Sequence, residues 1–219
     1  MLTRDYLMRM IDTLVKVLAK VVFLKDARNF PEALKELDSV TKMNLGIDRT
    51  FINNLSNEQL FKIIDPDGKL IAPKSYLLGV VFKEEAEIYE LQGEEDISVK
   101  LNLRSLYMFL TGIESSKSVM EDDHLKKIES VIDKLHGSEI PLNIKEKLFL
   151  YYEFTGKYDK AENILYELIE VDSNYIKEGI RFYIRLISKS EDELKKGNLP
   201  KIEVNEGLTD LKERLNSII

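Results

Sequence analysis

The chain has 219 residues, of which 44% are hydrophobic, 32% charged and 9% aromatic, and its 32 basic and 39 acidic side chains leave a net charge of −7. Ten glycines and five prolines are too few for a β-sandwich or barrel, which needs turn punctuation about every 8–12 residues. No cysteine is present, which excludes disulfides, cysteine-ligated zinc, iron–sulfur clusters and thiol nucleophiles.

Apolar residues recur at helical spacing almost everywhere. The pattern predicts helices over 3–26, 31–45, 56–64, 74–93, 97–112, 121–136, 142–155, 158–171, 174–188 and 206–218, with a short extra helix near Asp48–Asn53. Leu14–Leu24 reads LVKVLAKVVFL, but Lys16 and Lys20 interrupt it and no small-residue cleavage site follows, so no targeting segment is expected. No window reaches about 18 uninterrupted apolar residues, so no membrane span is expected and a cytoplasmic location follows as the expectation. Basic and acidic residues number 15 and 17 up to residue 110, and 17 and 22 after it. Neither half is basic, so nucleic acid is not an expected partner.

The first helix has one narrow polar stripe: Asp5, Arg9, Asp12, Lys16 and Lys20. Its apolar residues cover most of the remaining circumference, more than one neighbouring helix can bury. Two coverings stay open. Neighbouring helices flank it on two sides, or Val15, Leu18 and Val22 face a second subunit and the protein is a homodimer.

Start and stop signals punctuate the rest. Ser56 with Gln59 can form a capping box. Pro31 suits a first helical turn, and Pro141 lies just before the next helix. Gly93, Gly137 and Gly156 stand where a left-handed helix terminus wants glycine. Ile64–Pro73 (IDPDGKLIAP) and Lys195–Gly207 read as the two clearest breaks between helices.

Residues 156–173, GKYDKAENILYELIEVDS, resemble the second helix of a tetratricopeptide repeat, a helix–turn–helix unit of about 34 residues. Gly156 matches the turn glycine, Tyr158 the corner aromatic and Ala161 the small residue where helices cross. Leu165, Leu168 and Asp172 fit later positions, Ser173 replaces the common proline, and Phe149 occupies a site usually held by a small residue. A weaker copy, RNFPEALKELDSV, spans 28–40, with Phe30 and Ala33 in the roles of Tyr158 and Ala161. The opening Arg4–Ile11 (RDYLMRMI) resembles the start of a family of uncharacterised proteins found largely in Gram-positive bacteria, which implies no activity. The repeat resemblance implies a single all-α domain over 1–219, a superhelical array of antiparallel helical hairpins whose best unit is 142–173 and weaker copy 14–42. It also implies a groove, onto which Glu146, Leu150, Phe154, Lys177 and Arg181 map. Where some members carry lysine and asparagine for peptide carboxylates, this chain has Glu146 and Leu150, so that clamp is absent.

Little else carries chemistry. Glu121 and His124 have the spacing of a di-iron bundle motif, but a second copy and two further glutamates are missing. Asp65-Pro-Asp-Gly68 lacks the remaining acids of a calcium loop and reads as a turn. Glu84, Glu85 and Glu87 read as a solvated face. No phosphate loop, dinucleotide fingerprint or nucleophile elbow occurs. No catalytic residue, metal or cofactor is assigned, although an enzyme stays open. The expected function is a non-catalytic scaffold for a protein or peptide partner; the alternative is a small-molecule sensor or enzyme whose pocket is formed by residues 50–135.

Overall fold

The computed structural model describes residues 2–116 and 122–218, and side chains from 9 to 115 and from 123 to 217. Glu121, and the side chains of Asp5 and Leu7, lie outside the described residues. Those described form twelve helices and no strand: α1 (Leu2–Asp26), α2 (Phe30–Leu45), α3 (Arg49–Asn53), α4 (Asn57–Ile64), α5 (Ile71–Gln92), α6 (Glu95–Ser116), α7 (Asp122–Lys134), α8 (Leu142–Phe154), α9 (Tyr158–Val171), α10 (Tyr175–Ile187), α11 (Glu191–Lys196) and α12 (Lys201–Ile218). Helix accounts for 82% of them, so the all-α class holds. No described helix is long and apolar enough to cross a membrane.

The predicted boundaries stand within a few residues except in two places. Pro73 lies inside the first turn of α5, where a missing amide hydrogen costs nothing. The stretch 195–207, expected to be a break, holds the end of α11 and the first turns of α12. The capping box of Ser56 and Gln59 is formed, and Ser190 with Glu193 forms a second one that starts α11. Gly93, Gly137 and Gly156 all take positive φ.

The chain divides into two compact units, 1–139 and 140–219. In the first, α5 and α6 form the central hairpin. Their close approach has a plain cause: a Cβ on Gly79 would collide with the Phe109 ring, and Gly112 faces Ala72 and Ser75. The Ser105 hydroxyl donates to the Gly79 carbonyl at 2.7 Å. Helices α1 and α2 pair with each other and reach α5, while α7 packs on α6. Met10, Leu14, Val21 and Leu24 are buried along α1, one stripe at steps of four, seven and three residues. Val15 is 60% exposed and Val22 47%; Leu18 is half-buried. Helices α2 and α5 thus both pack on α1, and Val15 and Val22 remain exposed beside them.

In the second unit α8 pairs with α9 and α10 with α12. Three glycines act as sockets. A Cβ on Gly207 would strike the Tyr183 ring, one on Gly179 would strike Leu211, and one on Gly197 would strike Tyr158. Ala161 is fully buried, and Phe149, buried as well, packs edge-on against Phe182 at 5.3 Å between centroids.

Candidate functional site

Helices α8 and α10 of the second unit run in the same direction. Near their N-termini the Tyr175 hydroxyl donates to Glu146, and near their C-termini Arg185 grips Glu153 through two bonds of 2.6 and 2.8 Å. A fork-to-fork pair of this kind fixes orientation as well as distance. Arg185 also reaches Glu178 at 3.1 Å, and Arg181 reaches the same carboxylate at 3.3 Å. The bond to Glu146 pushes Tyr175 up to about 12, because ionising that phenol would set two negative charges side by side. The bonds to Glu153 likewise raise Arg185.

Around the Arg185–Glu153 tie lies a depression of about 410 Å³ lined by Leu150, Phe154, Tyr158 and Leu186, with Glu153, Arg185, Ser188 and Lys189 at its edges. Leu150 is 45% exposed and Phe154 62%, although both are large apolar side chains that a helix of this composition could have turned inward. The neighbouring aromatics do turn inward: Phe149, Tyr151 and Tyr152 are buried. Alternation along α8 thus divides its aromatics between core and surface. Of the residues the sequence nominated, Leu150 and Phe154 come together in the depression. Glu146 is committed to Tyr175, and Lys177 and Arg181 stand exposed on α10. Arg185 and Lys189 were not among the nominees. Their signal was present in the sequence, since 177, 181, 185 and 189 follow at four-residue steps, which place side chains on one helical line.

A second polar assembly lies inside the first unit, and it corrects the expectation of a solvated acidic face on α5. Glu85 is 1% exposed and Glu84 is 9%. Glu85 accepts from Arg49 and from the Asn53 side chain at 2.9 Å, while its second oxygen and the Arg49 Nε have no partner. Glu84 and Glu87 both accept from Lys25, and Glu87 accepts from Lys83 as well. The reason is that α5 is apolar on nearly every side, so its acids cannot all reach water and must find cations from other helices. Arg104 completes the assembly. It lies over the Phe82 ring at 4.3 Å and donates to the carbonyls of Ile52 and Leu55 at 3.2 Å each. Those carbonyls lie in the last turn of α3 and just past its end, so one guanidinium ties off a helix terminus.

Near Arg49 a broader depression of about 620 Å³ opens between α2 and α3, lined among others by Leu34, Lys35, Asp38, Lys42 and Phe51. Asp65, expected in a turn, ends α4 and accepts from the Leu70 amide at 2.9 Å. His124 stacks on Tyr76 at 4.1 Å. Among the described residues no group of three or more metal-ligating side chains is gathered.

No curated protein and no solved structure matches the chain. One family model does, a family of unknown function (DUF6483), over residues 1–216. That accords with the resemblance of the opening segment to a family of uncharacterised proteins. On a match of that extent the chain belongs to the DUF6483 family.

Proposed function

We propose that this protein is a cytoplasmic, non-catalytic scaffold of tetratricopeptide-like hairpins that docks a protein or peptide partner on the α8/α10 face. The observation that carries the reading is the pair of exposed apolar side chains, Leu150 and Phe154, held in one depression beside fixed ionic ties. Support comes also from the parallel course of α8 and α10, the relation expected of the first helices of successive hairpins. Tyr158 and Ala161 are buried, which supports reading them as corner and crossing residues. A small-molecule pocket formed by residues 50–135 has less support, because most of the residues lining the larger depression precede residue 50.

A photo-crosslinking amino acid at position 150, introduced into the chain in the cells that make it, tests the docking. A discrete adduct is expected, and Phe154→Ser in the same chain should remove it. No adduct, or one indifferent to Phe154→Ser, overturns the reading.

A second contact is favoured by α1, where Val15 and Val22 lie exposed on one face two turns apart. A second copy of the chain is the proposed occupant.

A further inference from the structure

We infer that residues 46–55, with α3 at their centre, form a hinged strap that opens as one piece while α2, α4 and the α5/α6 hairpin stay folded. Opening uncovers the Glu85 carboxylate and the Arg104 guanidinium. The inference concerns the first unit and stands apart from the docking reading.

The strap is held by polar ties and hardly at all by apolar packing. Ile52 is the one buried side chain of α3, while Thr50, Phe51 and the following Asn54 are exposed. Each remaining hold comes from a different helix. Asp38 of α2 accepts from the Arg49 amide at 2.8 Å. Glu85 of α5 accepts from the Arg49 and Asn53 side chains, and Arg104 of α6 donates to the Ile52 and Leu55 carbonyls. Water replaces bonds of this kind at little net cost when a segment lifts, whereas buried apolar area has no such replacement.

The tie to α5 is also incomplete. Both donors to Glu85 converge on one oxygen, and the other oxygen and the Arg49 Nε are buried without a partner. A half-satisfied ionic network is costly where water is excluded. The same cost shows in the titration of the buried ions: loss of water pushes Glu85 up and Arg104 down, so each charge is worse off inside than in water. Lifting the strap hydrates Arg49, Glu85 and Arg104 together.

The segment has room to move and hinges at both ends. On its outer side lies the depression of about 620 Å³, with Leu34 and Lys35 on one bank and Thr50 and Phe51 on the other. At the first end Gly46 takes φ +73, and nothing stands within 4 Å of the place a Cβ would occupy. At the second end the capping box of Ser56 starts α4 as a separate helix, and Leu60 and Ile64 anchor that helix in the core.

The chain has no cysteine, so one introduced thiol reports opening. Ile52 and Leu60 are both fully buried. In the full-length protein, Ile52→Cys should react with a thiol reagent at least about tenfold faster than Leu60→Cys. Adding Arg49→Ala should speed labelling at 52 at least about threefold further and leave labelling at 60 unchanged. Equal rates at 52 and 60, or the same acceleration at both, overturns the strap. Because Ile52→Cys itself removes packing, hydrogen exchange on the unaltered chain supplies an independent reading. The amides of 49–55 should exchange together, at least about tenfold faster than those of 60–64. Equal protection in the two segments, or rates that differ widely from amide to amide within 49–55, overturns the inference.

Discussion

Glu85 and Glu87 stand two residues apart on α5 and titrate in opposite directions. Burial pushes Glu85 above its ordinary 4.5, against the pull of Arg49 and Asn53. Burial also pushes Glu87 upward, but its bonds to Lys25 and Lys83 more than offset that and hold it below 4.5. A carboxyl with a raised folded value binds its proton more tightly when folded. Its contribution is present below pH 4.5 and is lost as pH rises through the folded value. For Glu87 the stability is present above pH 4.5 and is lost as pH falls through the folded value. Urea midpoints measured across pH should therefore lose a decline that begins above pH 4.5 in Glu85→Gln, and a decline that begins below pH 4.5 in Glu87→Gln. Identical pH profiles for the two variants would show that the ion cluster is solvated. Gly207 supplies a second case in which surroundings decide. Alanine there adds about 1 kcal/mol of helix propensity, but its methyl group would strike the Tyr183 ring. That ring is fully buried and its hydroxyl is tied to Glu162 at 2.5 Å, so it cannot swing aside. Gly207→Ala should destabilise the protein by about 1–3 kcal/mol, read from the urea midpoint.

Among the helices, α1 carries its exposed apolar face where no other described element buries it. If a second copy does so, light scattering should give a dimer for the native chain and a folded monomer for the double variant Val15→Asp, Val22→Asp. A native monomer at high concentration ends that proposal. Helix existence was legible almost throughout, because a 3.6-residue apolar period and cap residues act locally. Helix α11 was missed although Ser190 and Glu193 carry the same signal as Ser56 and Gln59. Six residues are too few to show a period, and Gly197 and Pro200 nearby pointed to a loop. The acids of α5 were misread for a different reason. Their partners Lys25 and Arg49 come from α1 and α3, so only the tertiary fold shows that the acids are inside. At the proposed docking face the sequence supplied Leu150 and Phe154 from the position of α8 in a hairpin. It did not supply Arg185, whose role depends on Glu153, thirty-two positions earlier.

At the scale of the whole molecule, the division after Glu139 falls in a short exposed segment that follows α7. Gly137 there takes φ +84, and His136, Gly137 and Glu139 are exposed. A glutamate-specific protease at low dose should cut after Glu139 among its first sites, releasing fragments 1–139 and 140–219 that mass spectrometry identifies. Early cuts within α5 or α6 instead would mean that the first unit opens before the junction does. The socket at Gly207 has a kinetic consequence as well. A glycine near the middle of α12 makes that helix a poor one by itself, and its order comes from closing over the Tyr183 ring. We predict that this closure follows the folding barrier. Substitutions at position 207 should therefore leave the refolding rate nearly unchanged and appear almost wholly as faster unfolding. On that prediction the close fit of helix to ring governs how long the native state lasts, not how quickly it is reached.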